Sequence, residues 1–126
     1  MKYKDIEVGQ TAELLRTVKY RDVLDFMMTS GDKNDIHTDE KFAQSKGFKQ
    51  PIVHGMFMGA LISAVMGNQL PGNGTLWKSQ SLQFVKPVFV GDSLRVRVEV
   101  KSKHDKDHSI VLMTDVLNQK EEVVVS

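Results

Sequence analysis

Thirteen consecutive residues, GMFMGALISAVMG from Gly55 to Gly67, carry one polar side chain, Ser63. A helix built from them is apolar on every face, so it must be surrounded by protein rather than laid on a surface. It is also too short to cross a bilayer, which takes roughly 20 such residues. Gly55 and Gly59 stand in a GxxxG spacing, which in a chain of this kind marks close helix-to-sheet packing. Whatever else the chain does, it has to build walls around this helix. With 126 residues it has material for about one domain, residues 1–126, burying roughly two thirds of the surface of the extended chain.

The walls are found downstream. LRVRVEVK alternates without a fault, placing Leu94, Val96, Val98 and Val100 on one face and Arg95, Arg97, Glu99 and Lys101 on the other. That is the period of a strand with one wet side. SIVLMTDVL is apolar in both phases, as in an interior strand, while TLWKSQSLQF and EEVVVS alternate less cleanly and are expected to be strands as well. A further strand is expected within residues 11–19. Gly91-Asp92 and HDKDH supply turns between strands. Upstream, Val23, Phe26 and Met27 fall at i, i+3, i+4 in YRDVLDFMMTSG, a short helix with a glycine stop. Asp39 can cap a second, EKFAQSKGF, with Phe42 and Ala43 facing inward and Gly47 ending the run. The expectation is an α+β domain in which an antiparallel sheet wraps one apolar helix.

Charge and composition exclude several functions. Seventeen basic and 16 acidic residues nearly cancel, so no electrostatic field recruits nucleic acid or an anionic membrane. There is no cysteine, which removes disulfides, thiolate catalysis and Cys-based zinc sites and fits a reducing compartment. MKYKDIEVGQ lacks the apolar stretch of a signal peptide, so the cytoplasm is the expected location, and NGT at Asn73–Thr75 reads as a turn rather than a glycosylation site.

Between the two short helices lies SGDKNDIHTD, Ser30 to Asp39, with three aspartates, an asparagine and a histidine. Asp32 and His37 pair a carboxylate with an imidazole, the groups that general acid–base chemistry uses and that together can hold one water. The plainer reading is a local hydrogen bond in a polar turn. Metal binding by Asp32, His37, Asp39 and His54 has no recognisable ligand spacing, and no metal is expected. A second feature is QPIVHGM, which runs straight into the apolar helix, so the amides near Gly55 sit at a helix N-terminus and favour negative charge. For Gly55 the alternative is a simple tight turn, and for His54 a packed or capping imidazole. Taken together, an acid–base pair and an amide site for an oxyanion point to chemistry next to a carbonyl.

These residues resemble the MaoC-like (R)-specific enoyl-CoA hydratases and 3-hydroxyacyl dehydratases of the hot-dog fold. The resemblance is carried by FMMTSGDKNDIHTDEKFA, GFKQPIVHGMFMGALIS, LPGNGT and LQFVKPVFVGDSL, in that order, and covers about residues 17–101. It implies a hot-dog domain pairing into a homodimer, with Asp32 and His37 as the catalytic dyad sharing a water and the Gly55 amide receiving the thioester oxygen. It also implies Ser63 as a supporting residue and Asn34 as a shaper of the loop, and His54, next to Gly55, is expected to support the site. The implied substrate is an acyl thioester, with CoA favoured over acyl carrier protein in the absence of a basic cluster. No cofactor is implied. One departure stands out: the family pattern has Pro after the loop asparagine, and here Asp35 follows Asn34, which leaves φ unrestrained and adds negative charge beside the dyad. The family's last strand is also expected to be short here. A hot-dog thioesterase, aiming water at the carbonyl, and a non-catalytic acyl-thioester-binding protein are the competing readings. Phe57, Met58 and Met66 either border the acyl pocket or are plain core.

Overall fold

A computed structural model describes residues 1–126. Four strands, β1 (Thr11–Thr17), β2 (Ser93–His104), β3 (Ser109–Leu117) and β4 (Val123–Val125), form one antiparallel sheet in the order β1-β2-β3-β4. Three helices, α1 (Tyr20–Ser30), α2 (Glu40–Ser45) and α3 (Gly55–Asn68), all fall between β1 and β2. The register sets β1 against the first half of β2, with Leu14 opposite Val96 and Thr17 opposite Ser93. β2 then runs alongside β3, with a shift between Val100 and Ser102.

The inward phase of β2, Leu94, Val96, Val98 and Val100, is at most 1% exposed. α3 lies across it, burying Phe57, Met58, Leu61, Ile62, Val65 and Met66. Val116, Val124 and Val125 belong to the same core, as does Val23 from α1. The period-2 and period-3.6 patterns therefore meet in a single core, which is the requirement the apolar helix imposed.

Three expectations need correction. α3 is not covered on every side: Met56 is 57% exposed, Ala60 is exposed, and Ser63, Ala64 and Gly67 are half-buried. These residues recur every three to four positions, so they form one stripe, and a single sheet can cover only the opposite side of a helix. TLWKSQSLQF is not a strand. Only its end pairs with the backbone of the sheet, through Phe84 bridged to Val125 and Gln83 paired with Ser126. β4 is three residues long, so the residues before Gln83 have no edge to pair with, and Leu76 is 87% exposed. Phe42 stays largely outside α2's buried face, which is carried by Ala43 alone. β3 is interior to the sheet as expected, yet Val111 and Met113 on its outer face are about half exposed, so its second apolar phase also faces away from the chain's own core.

Candidate active site

The loop from Gly31 to Asp39 begins where α1 stops. Gly31 takes up a left-handed conformation, φ +79°, while its N–H still bonds the Met27 carbonyl, a turn that side chains with a Cβ rarely adopt. The Asp32 N–H then donates to Ser30 Oγ at 3.0 Å, and Asp32 Oδ1 accepts the Asn34 N–H at 3.1 Å. Asn34 Oδ1 accepts the Ile36 N–H and so caps a short 3-10 turn, Asp35–His37. Asp35 occupies the first position of that turn, where a proline is readily accommodated. Its side chain is exposed, so its charge sits in solvent beside the dyad. Asp39 caps α2 through the Phe42 N–H.

This geometry brings Asp32 and His37 together. His37 Nδ1 donates to the Ile52 carbonyl at 2.7 Å, which in the neutral ring leaves a lone pair on Nε2. That nitrogen faces Asp32 Oδ2 at 3.8 Å. The separation is too long for a hydrogen bond, but a water about 2.8 Å from each atom fits between them. Both atoms would then accept its hydrogens and leave an oxygen lone pair pointing outward. The His37 side chain is 10% exposed and that of Asp32 50%, so the pair is open on the carboxylate side.

His54, the residue before α3, supplies the second half. Its ring stacks on His37 with centroids 3.6 Å apart and planes 23° from parallel, and its Nε2 donates to the Asp32 carbonyl at 3.1 Å. The next residue, Gly55, opens α3. The N–H groups of Gly55 and Met56 have no acceptor within the chain, as expected for the first turn of a helix. Asp32, His54 and Gly55 border a cavity of about 590 Å³ whose apolar wall includes Phe26, Phe48, Met58 and Phe84. Of the three bulky helix residues considered from the sequence, Met58 faces this cavity, and Phe57 and Met66 are core. Ser63 lies two turns further along α3 on the open stripe, and no hydrogen bond within the chain joins it to either member of the dyad.

Phe84 is a site residue that sequence reasoning misses. A Cβ at position 55 would stand 2.7 Å and 2.8 Å from two carbons of its ring, so any side chain here would have to push the ring aside. The signal lies in LQFVKPVF, but only the fold shows which glycine that phenylalanine meets. Asp32, His37 and His54 also bring potential metal-ligating atoms within 4.8 Å of one another. Two imidazoles stacked face to face direct their lone pairs side by side rather than at one point, which is poor geometry for a shared ion.

Burial pushes the His54 imidazole below the usual histidine range, and the adjoining His37 acts in the same direction; the Asp32 carbonyl and carboxylate oppose both. Below pH about 6.5 the unfolded chain takes up a proton at this position that the folded chain refuses, so stability falls towards acid until the folded-state pKa is passed. Above that pH the group contributes no slope. In urea unfolding from pH about 7.5 to 5, His54→Gln is expected to lose part of the acid-side decline; identical slopes for the two proteins would contradict a buried neutral His54.

Residues 4–122 match the MaoC like domain family, and the chain belongs to that family. Among relatives, it is 40% identical over 119 residues to an (R)-specific enoyl-CoA hydratase of Aeromonas caviae, covering 94% of this chain and 89% of that protein. It is 44% identical over 98 residues to a 3-hydroxybutyryl-CoA dehydratase of Methylorubrum extorquens, covering 78% of this chain and 62% of the relative. In structure it is similar to the unliganded R-hydratase PhaJ1 of Pseudomonas aeruginosa, with a TM-score of 0.90, 43% identity, and coverage of 98% and 79% of the two chains. The antiparallel sheet with its long helix is thus the hot-dog arrangement.

Proposed function

We propose that this chain catalyses the (R)-specific addition of water to trans-2-enoyl-CoA, giving (R)-3-hydroxyacyl-CoA, and the reverse dehydration. The observation that carries the reading is the 3.8 Å gap between Asp32 Oδ2 and His37 Nε2, next to a cavity lined by Asp32 and by Gly55, whose N–H has no acceptor in the chain. The relatives at 40% and 44% identity are named as an (R)-specific enoyl-CoA hydratase and a 3-hydroxybutyryl-CoA dehydratase, which supports this reading.

The chemistry needs three things: a base for the water, a donor for the oxyanion, and a proton for C2. Asp32 Oδ2 takes a proton from the water while His37 Nε2 holds the other hydrogen, and the oxygen bonds to C3. The electron pair of the C2–C3 double bond moves towards the thioester carbonyl, whose oxygen becomes an enolate held by the Gly55 N–H. The proton taken from the water returns to C2 with the help of His37, and the dyad is restored. The balance closes with water and enoyl thioester alone, so no cofactor or metal enters the scheme. CoA is the carrier in this reading, the cytoplasm its location, and residues 1–126 act as one domain.

The exposed apolar stripe of α3 and the half-exposed outer face of β3 support a homodimer, in which a second copy covers what the chain leaves open. Light scattering should give twice the 14.2 kDa chain mass; a monomer at assay concentration would remove this part of the proposal.

Turnover of crotonyl-CoA, followed by loss of the enoyl absorbance together with a free-thiol reagent, tests the reaction class. Hydration without thiol release is the expected result. Thiol release would move the assignment to a thioesterase, and binding without turnover to a non-catalytic protein. Gly55→Ala retains the amide but forces the Phe84 ring aside. Overpacking of this kind costs about 1–3 kcal/mol of stability, and the accompanying displacement of the amide from the oxyanion is expected to lower kcat about tenfold, with partial recovery on adding Phe84→Ala. A Gly55→Ala enzyme with unchanged kcat would show that the contact does not bear on catalysis.

A further inference from the structure

The hydrogen bonds that hold the dyad are unevenly distributed. His37 is tied to the segment before α3 twice, by its Nδ1 on the Ile52 carbonyl and by the Ile52 N–H on the carbonyl of its neighbour Ile36. Asp32 is tied to that segment once. Its N–H goes to Ser30 Oγ and its Oδ1 to the Asn34 N–H, both within the loop, and only its carbonyl reaches across, to His54 Nε2. Among residues 31–35 no other hydrogen bond reaches that segment. Within the loop Asn34 links the two, its N–H on Asp32 Oδ1 and its carbonyl accepting the His37 N–H, but only one bond, between residues 22 apart in sequence, ties Asp32 to the segment that carries the Gly55 amide.

From this we infer that His54 is the positioning residue of the dyad: its Nε2–H on the Asp32 carbonyl and its face on the His37 ring together set the gap in which water is held. The inference rests on the proposed hydration reaction. Two further observations point the same way. His54 is 2% exposed and immediately precedes α3 without a side-chain hydrogen bond to it, so the ring is not used as a helix cap. Its Nδ1 is buried without a partner, so a proton there would be a buried donor with no acceptor. The ring is consequently held as the neutral Nε2–H tautomer, the form that can donate to Asp32 without placing a positive charge against His37. The charged or titratable groups facing it are Asp32 and His37; Phe26 packs against it as well, with centroids 4.9 Å apart.

Two substitutions separate the two contacts. His54→Phe keeps a ring to stack on His37 and removes the donor, whereas His54→Gln keeps a donor at about the reach of Nε2 and removes the ring. Misplacing a reacting group by about 1 Å can lower the rate about 100-fold, so His54→Phe is expected to lose on the order of 10- to 100-fold in kcat for crotonyl-CoA, with KM changed by less than about threefold. His54→Gln should recover at least about fivefold of that loss. A purely structural role would instead lower both variants alike, in step with their melting temperatures, and that result would overturn the inference, as would wild-type kcat in His54→Phe. The wild-type protein supplies a test that does not depend on the variants folding. Imidazole 1H–15N spectra should show His54 protonated at Nε2 and His37 at Nδ1 at neutral pH, and any other tautomer for His54 would also overturn it. Loss of activity in Asp32→Asn with retention in His54→Phe would reject His54 alone and leave the hydratase reading standing.

Discussion

Asp32→Asn and His37→Ala are each expected to lower kcat for crotonyl-CoA hydration by at least ~100-fold, within the range that a positioned acid or base supplies. The reason is specific to each. In Asp32→Asn the new side chain would still accept the Asn34 N–H and fill the same volume, but its amide is not basic and cannot take the proton from water. His37→Ala removes the second acceptor of the same water and the bond to the Ile52 carbonyl. It also leaves the buried His54 ring without the partner it stacks on, so the loss has to be read alongside a melting curve. In the proposed mechanism the two groups act on one water, so the double variant should be little worse than either single one. Near-normal turnover by both single variants, with the fold intact, would rule the dyad out.

Ile62→Ala is expected to be the most damaging of the conservative core changes. Ile62 is 0% exposed and belongs to the same core cluster as the inward valines of β2. Truncations of this kind typically cost about 2–5 kcal/mol through lost transfer energy and the cavity left behind. Domains of this size have only about 5–15 kcal/mol in total. The urea midpoint should therefore drop sharply, and crotonyl-CoA hydration should fail at lower temperature rather than slow at all temperatures. A loss below about 1 kcal/mol would mean that the sheet does not grip the helix as the packing indicates.

Much of this was legible in the residues themselves. The strict alternation from Leu94 to Lys101 and the apolar run from Gly55 to Gly67, interrupted only by Ser63, are patterns that local sequence determines, and the strand and the helix they mark both appear in the fold. The helix stop at Gly31 and the Asp39 cap are equally local. What could not be read depends on partners. TLWKSQSLQF has strand composition, but a strand also needs an edge, and β4 is too short to offer one beyond Gln83. The apolar run of α3 says that every face avoids water, not whether the cover comes from the same chain, and the stripe at Met56 and Ala60 is where this chain supplies none. At the site, the residue types in SGDKNDIHTD indicated acid–base chemistry, whereas the His54 bond to the Asp32 carbonyl joins residues 22 apart and has no sequence pattern to announce it. The Phe84 ring over Gly55 is invisible for the same reason.

The replacement of the usual proline by Asp35 illustrates how local geometry can be kept by other means. The turn that proline would stiffen is formed here with Asn34 Oδ1 on the Ile36 N–H and with the Asp35 carbonyl accepting from Thr38 and Asp39. Side-chain and backbone bonds thus define the loop that carries the carboxylate.

A crystal structure of Asp32→Asn soaked with (R)-3-hydroxybutyryl-CoA would decide whether carboxylate, imidazole and amide act on one substrate. The C3 hydroxyl should lie within about 3 Å of both the residue-32 side chain and His37 Nε2, with the thioester oxygen on the Gly55 N–H. If the ligand instead presents its carbonyl carbon to the dyad, or binds away from Gly55, water is not being delivered to C3 and the proposed chemistry is wrong.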